Sequence, residues 1–570
     1  MKRIICLLLA VVMMCGLVLA LAGCKARDDG AQINVYLGNE VFDFDPSDYY
    51  ADSNQDQLMS LLFEPLFRVN KKGKLEMAAA KDYEIDEEKR EITVTLRESY
   101  WSDDVPVKAE DFAYAWCNRI LDPNNPNPAA ALFYDIENAA NVKSGNISVS
   151  DVGVKASEVD VLTITYREGA DVDRLLRNLA TVAASPVRQS IVEAAPAYWS
   201  KNPNTMVFNG PFKIRAINSL TAELSLERNI GYHQALDEKN LTNEVRPHIL
   251  AGFVTASGEE IKFSYADIEN KVRFFLSDAP LADREAKKGK ATTASDTSVY
   301  TYVFNTENPL FANQKVRKAL SIAIDRNAIA AAVSFGKAAN GFIPDAFGGS
   351  ADELISGGAN IAVATALLSE VDFTGMSKAF TLTVADNEES RAIAALVKSA
   401  WDALGFNVTV KYEQPVTTVI GGVETTDSQL QMLVKEASYG NRQFDVIGID
   451  WQLYSDDAFV GLSAFSTALS GCGVDFGNNN EQRTNITGWS HADYDSYINA
   501  AYKAGGSERE DYLKKAEALL CEEAPVVPIL FNESFAFVAK DLKKIEIDLF
   551  GNFIFTDAKL KNYKDYLEEN

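Results

Sequence analysis

The side chains best equipped for chemistry are few in this sequence and far apart. Its three histidines, His233, His248 and His491, have neither HExxH spacing nor any other ligand spacing, so no metal site is read from them. Six cysteines occur, none in a CxxC pair. Cys6 and Cys15 fall in an apolar leader and Cys24 directly follows it. Cys117, Cys472 and Cys521 remain, an odd number that allows at most one disulfide and is expected to stay as buried free thiols. No GxGxxG, Walker A or GxSxG pattern is present, and no nucleophile–base pair stands out. The expectation is a protein that is not an enzyme and that uses no metal or cofactor.

Cys24 has a chemical context of its own. Lys2 and Arg3 precede an unbroken apolar run from Ile4 to Gly23, the layout of a secretory signal. The run is also close to the ~20 residues that cross a bilayer, so a retained membrane anchor is the alternative. Leu21-Ala22-Gly23-Cys24 resembles the lipobox of bacterial lipoproteins. That resemblance implies cleavage before Cys24, diacylation of its thiol and, usually, acylation of the new amine. Small residues at Ala22 and Gly23 admit a peptidase to the backbone, and the thiol is the nucleophile for the lipid. Two or three acyl chains, at ~0.8 kcal/mol per buried CH2, hold a protein to a membrane without a spanning helix. Residues 1–23 are therefore expected to be a signal peptide and 24–32 a lipidated tether.

The rest of the chain far exceeds the ~100–200 residues of one domain, so two or three domains are expected. A composition of 47% hydrophobic and 10% aromatic residues is rich enough for a sizeable core. The formal charge of −26 repels nucleic acid and anionic lipid headgroups. It fits a soluble body held near a membrane by lipid alone, with no nucleic-acid partner. Acidity would also favour cationic ligands, although a solvated acidic surface is its commoner cause.

The elements that must position any site are legible from periodicity. "INVYLG" (33–38) reads as a strand, and "REITVTLR" (90–97) alternates with Ile92, Val94 and Leu96 on one face. Further strands are expected at 161–166, 221–228, 298–305, 444–450 and 528–538. Helical spacing marks 52–67, 109–121, 172–182, 315–333, 389–405 and 508–523, with Phe112, Trp116 and Ile120 on a core-facing stripe. "DPNNPNP" (122–128) is a turn-rich break, while 348–360 and 423–431 read as excursions or loops. The passages from helix into "FNVTVKY" and "APVVPIL" are typical of α/β lobes.

The order of these landmarks resembles the extracytoplasmic solute-binding proteins of bacterial ABC importers, of the large oligopeptide/dipeptide-binding (family 5) type. The stretches that carry the resemblance include "WSDDVPVKAEDFAYAWCNRILDPNNPNP", "FNGPFKI", "FNTENPLFANQKVRKALSIAIDRNAI", "GFIPD", "FDVIGIDWQLYSDDAF" and "KKAEALLCEEAPVVPILF". They follow one another over most of the mature chain, and most of their residues are scaffold. The resemblance implies an α/β, bilobal periplasmic-binding-protein fold with a hinge, plus an accessory α/β domain. Lobe I would comprise residues 30–63, 205–298 and 527–570, the accessory domain 64–204, and lobe III 299–526. The chain would cross between lobes near 299 and near 526, and ligand would be enclosed by closure.

The resemblance also supplies expectations for the ligand. Peptide-binding members anchor the ligand's amino terminus on an aspartate three residues after a tryptophan. Here the tryptophan is Trp451 and the third residue on is Tyr454, so the anchor is absent from its usual place. Asp450 is the first candidate to replace it and Asp456 the second; with Asp457, they are otherwise ordinary solvated acids. Trp451 would line the cleft and pack on an apolar part of the ligand. Other contact positions of the family fall at Ala129, at Pro415 and in "ILFN" (529–532). The segment matching the first cleft loop is Tyr50-Ala51-Asp52-Ser53, which keeps polar capacity. The candidate ligand-binding residues are thus Tyr50, Ala51, Asp52, Ser53, Asp450, Trp451, Gln452, Tyr454, Asp456 and Phe531. The implied function is a lipid-anchored, monomeric receptor in the bacterial cell envelope that delivers peptides or peptide-like solutes to an ABC permease and its ATPase. A nickel chelate, a sugar or an opine-like solute is the alternative ligand, and a surface adhesion or signalling protein the alternative class.

Overall fold

A computed structural model describes residues 31–38, 43–47, 53–202, 204–218, 223–233, 245–251, 274–276, 291–350, 352–420, 423–477, 481–538, 540 and 542–560. The expected signal peptide, with Cys24, lies outside the described residues. A mixed sheet dominates the fold. Its strands run in the order Asn407–Glu413, Ala379–Ala385, Val446–Gln452, Thr292–Phe304, Val526–Val538, Phe274–Leu276, Ala31–Gly38, Val245–Ala251, Glu223–Arg228 and Phe212–Asn218, and Lys337–Ala338 pairs beside Val526–Val538. Thr292–Phe304 and Val526–Val538 are 13 residues each, the longest strands, and pair antiparallel. Their register slips between Ser295 and Val299 and again between Tyr300 and Thr301. Such slips bend a strand and increase its local twist.

A second, antiparallel sheet is built from Ala80–Asp86, Glu91–Leu96, Val161–Thr165 and Val154–Ala156. In Glu91–Leu96 the predicted alternation holds, with Ile92, Val94 and Leu96 buried. Phe112, Trp116 and Ile120 are fully buried beside this sheet, and the Trp116 indole donates to Ala184 O at 2.8 Å. The helix expected at 109–121 is α-helical only over Ala109–Ala113 and widens to a π-helix over Tyr114–Ile120.

Local signals explain most other elements. Asn387 caps the helix Glu388–Ala403 by accepting from Ser390 N at 2.7 Å, and Ile393, Ala394, Val397 and Trp401 form its buried face. Gly405, at φ +86°, takes the left-handed position that ends the helix and turns the chain into Asn407–Glu413. Two expectations need correction. The single helix expected over 315–333 is two helices, Gln314–Ile322 and Arg326–Val333. Asp325 caps the second one, and the buried Arg326 guanidinium donates to Pro528 O, Ser321 O and Ser321 Oγ. The stretch 423–431, read as loop, holds the strand Val423–Asp427, paired with Val416–Ile420, and then the start of the helix Gln429–Ser438. Its run of threonines suits a pleated, half-exposed ribbon.

Cys117, Cys472 and Cys521 are free and buried, and burial pushes the Cys117 thiol up to about 12. Among the described residues no helix is long and apolar enough to cross a membrane.

Candidate ligand-binding site

The strand Val446–Gln452 lies against Thr292–Phe304, so Ser298 faces Gln452, Val299 faces Trp451 and Tyr300 faces Asp450. Side chains alternate across a sheet, which sends Trp451 and Asp450 to opposite faces. On the Trp451 face, Val299 sits between Trp451 and Phe531 in an apolar row across three strands. Phe342 and Phe465 close around the indole, with centroids 6.2 and 4.9 Å from it and 5.0 Å from each other. On the other face the Asn532 amide Nδ2 donates to both Ser298 Oγ and Asp450 Oδ1, each at 2.8 Å. This polar triad ties both long strands to the strand of Asp450. Gln452 is buried on the same side of its strand as Asp450.

The loop bearing Phe342 is held by a buried carboxylate. Glu517, on the helix Gly506–Glu523, accepts from the backbone N–H groups of Phe342, Ile343 and Ser350 at 2.8–2.9 Å. Burial pushes its carboxyl above the usual range, while the three donors pull the other way. Gly341 permits the approach, since a Cβ there would lie 2.6 Å from Glu517 Oε1.

Past the strand the chain turns sharply. Tyr454 is buried and left-handed, at φ +63°, a backbone state uncommon outside glycine. The next three residues are gripped by side chains distant in sequence. Ser455 Oγ donates to Asn178 Oδ1 at 2.6 Å, Arg177 pairs with Asp456, and Asp457 is paired by Arg509 at 2.8 Å and Arg174 at 3.4 Å. Burial pushes the Asp457 carboxyl up, but Arg509 and Arg174 outweigh it and hold the group below its ordinary value.

The sequence candidates therefore fall in different settings. Asp450, Trp451, Gln452 and Phe531 share three adjacent strands, with Asp450 and Gln452 on one face and Trp451 and Phe531 on the other. Tyr454 lies just beyond, and Asp456 is engaged by a guanidinium. Ala129 is fully buried in the turn Pro128–Phe133, whereas Pro415 is exposed ahead of the hairpin 416–427. Tyr50, Ala51 and Asp52 lie outside the described residues, and Ser53 is described only as the first residue of the helix Ser53–Leu62. Sequence reasoning missed Ser298, Phe342, Phe465 and the arginines, and reached Asn532 only as part of the contact stretch 529–532. Asn532 did carry a signal, an amide inside the apolar strand "PILFNESFAFV"; the others carried none. Of the histidines, His233 Nε2 lies 2.8 Å from the buried Glu64 carboxylate, which also accepts from Tyr232. Among the described residues no group of histidine, cysteine and acidic side chains is placed to hold a metal ion.

The signature of the bacterial extracellular solute-binding proteins, family 5 (middle), matches residues 74–470. The chain is 26% identical to the oligopeptide-binding protein OppA of Bacillus subtilis over 95% of its own length and 94% of that protein. Among solved structures, Listeria monocytogenes OppA bound to peptide superposes with TM-score 0.75 at 20% identity, covering 93% of this chain and 99% of that one. The murein tripeptide-binding protein MppA of Escherichia coli gives 0.74 at 22% identity, covering 93% and 98%. Its unliganded open form gives only 0.54 at the same identity, covering 93% and 97%.

Proposed function

The chain belongs to the family 5 bacterial extracellular solute-binding proteins, and from that membership we propose that it captures a peptide or peptide-like solute between two lobes and presents it to an ABC permease. Its relatives bind solutes rather than transform them, and the chain is not an enzyme. The observation that carries the ligand reading is the polar triad Asp450–Asn532–Ser298 on one face of the three strands. The apolar row through Trp451, Val299 and Phe531 lies on the opposite face, buried with Phe342 and Phe465, and braces those strands from behind. Peptide-like ligands offer backbone and terminal donors, and a pocket fixes them with a few placed polar groups. A carboxylate has acceptor capacity for about four hydrogens, so Asp450 can take a ligand amine while it keeps Asn532. The bound peptide of the Listeria relative and the oligopeptides and murein tripeptide in the relatives' names support this class.

In this reading the lobes are 30–63 with 205–298 and 527–570, then 64–204, then 299–526, and the two long strands are the hinge crossings. Their slipped registers at Ser295–Thr301 give the bend a place to act. Cys24 carries the lipid that keeps a monomeric body outside the cytoplasm beside its permease. The test is calorimetry with tri-alanine and with N-acetyl-tri-alanine. Tight binding of the free-amine peptide that weakens on acetylation is expected, and binding of neither would refute the peptide reading. For the anchor, Cys24→Ala is expected to abolish acyl labelling, and labelling that persists would sink it.

A further inference from the structure

We propose that the helix Val172–Asn178 and the segment Ser455–Asp457 form a reversible latch, with Arg174 and Arg177 as its positioning residues, that holds the lobes closed on ligand. This rests on the bilobal reading above. In that reading the helix belongs to the accessory domain and the segment to lobe III. Three links join them: Ser455 to Asn178 at 2.6 Å, Arg177 to Asp456, and Arg174 Nε to Asp457 Oδ2 at 3.4 Å. Further links span the same two parts elsewhere: Lys201 pairs with Asp427 at the base of the hairpin 416–427, Asn127 N donates to Gly471 O at 2.9 Å, and Val474 N donates to Pro123 O at 2.9 Å.

The wiring of these links distinguishes a latch from a permanent buried ion pair. Each cation has a second partner outside lobe III: Arg174 holds Asp135 at 2.6 Å and Arg177 donates to Gly73 O at 2.8 Å within the accessory domain, and Lys201 lies 3.4 Å from Asp43 of lobe I. Asp457 likewise keeps Arg509 at 2.8 Å within lobe III. Breaking a buried pair is costly because it strands an uncompensated charge. Here separation strands no cation and leaves Asp457 with Arg509, while Asp456 and Asp427, already 16% and 15% exposed, are released to solvent, so the contact can open and close. The arrangement described is one in which the links are made, and it superposes far better on peptide-bound OppA, at 0.75, than on the unliganded open MppA, at 0.54. The left-handed turn at Tyr454 connects the latch to the strand of Trp451 and Gln452. Contact of a ligand with that strand end and formation of the latch are therefore mechanically joined.

Interlobe distance decides the matter without a ligand. Spin labels on Glu193→Cys and Val419→Cys, in the full chain in detergent, report separation; the three native thiols are buried and stay unlabelled. The ligand-free parent is expected to show a short-distance population that falls several-fold in Arg174→Gln/Arg177→Gln. Raising salt from about 0.05 M to about 1 M should shrink it in the parent far more than in the variant, because exposed links are screened as they open. Tri-alanine should dissociate about tenfold faster from the variant, as when a charged contact that controls release is removed. If the double variant fails to fold by circular dichroism, Asp456→Asn replaces it with the same expectations. Absence of the short distance in the parent, or equal distributions and dissociation rates in parent and variant, overturns the latch. If tri-alanine fails to bind while the distances shift as stated, the latch stands and the peptide reading falls.

Discussion

Asp457, at the entry to the helix Ala458–Ser463, and Asp548, in the turn that leads to Phe553–Ile554, are both buried carboxylates. Burial pushes each carboxyl up. At Asp457 the guanidinium groups of Arg509 and Arg174 reverse that push and hold the group below its usual value. At Asp548 burial prevails over the Asn552 backbone and side-chain donors and the more distant Arg68, and the carboxyl is raised to about 6. Seclusion from water alone therefore does not set the state of an acid; the charge of what meets it does. The signs of their pH dependence are opposite. Asp457, depressed, contributes stability above its unfolded value that is lost as pH falls through its folded one. Asp548, raised, contributes stability that is complete below about 3.8 and is lost as pH rises through about 6.

The largest expected effect comes from removing the stronger partner of Asp457. Arg509→Met removes the two hydrogen bonds from its guanidinium to Asp457 Oδ1 and Oδ2, leaves that carboxylate with Arg174 alone, and should cost about 3 kcal/mol in urea unfolding at neutral pH. The deficit should shrink in acid as Asp457 protonates; a loss below about 1 kcal/mol would break the comparison. Asp450 is a third case, a carboxylate met by the Asn532 amide. If it receives a ligand amine, Asp450→Asn should weaken free-amine tri-alanine by about 2–3 kcal/mol in calorimetry, the scale of a hydrogen bond to a charged group, and leave N-acetyl-tri-alanine unchanged. Asp548→Asn sharpens the other side. It should raise stability by about 2–3 kcal/mol above pH 7, converting a shift of about two pKa units, and the gain should vanish near pH 4. Melting temperatures across that range read it directly. The smallest effect belongs to Glu517, held by neutral backbone donors. Glu517→Gln keeps Oε1 for Phe342 and Ile343 but turns an N–H toward Ser350 N, costing about 1 kcal/mol. The quenching of Trp451 by its neighbours should change with it, because the loop carries Phe342.

Much of the scaffold could be read residue by residue. The alternation of Glu91–Leu96 and the capped, amphipathic helix Glu388–Ala403 with its terminal glycine depend on neighbours within a few positions, and they formed as expected. The break at Asp325 was missed because apolar spacing runs through it. What separates the two helices is a cap together with an arginine that reaches Pro528, some two hundred residues away. The ribbon at 416–427 was missed because a threonine-rich stretch shows little apolar alternation, and its pairing is cross-strand.

The sequence by itself determined the periodic elements and the order of family landmarks, since each is written in contiguous residues. It also placed Asp450, Asp456 and Asp457 beside Trp451 within one short stretch, where the acids are ordered only by their distance from that tryptophan. Only the tertiary structure separated them. The pleat sends Asp450 and Trp451 to opposite faces, a left-handed residue at Tyr454 redirects the chain, and arginines from positions 174, 177 and 509 meet the last two acids. The physical reason is range. Backbone preference and periodicity act over a few residues, whereas the charge that meets a buried carboxylate is brought by parts of the chain that only folding makes neighbours.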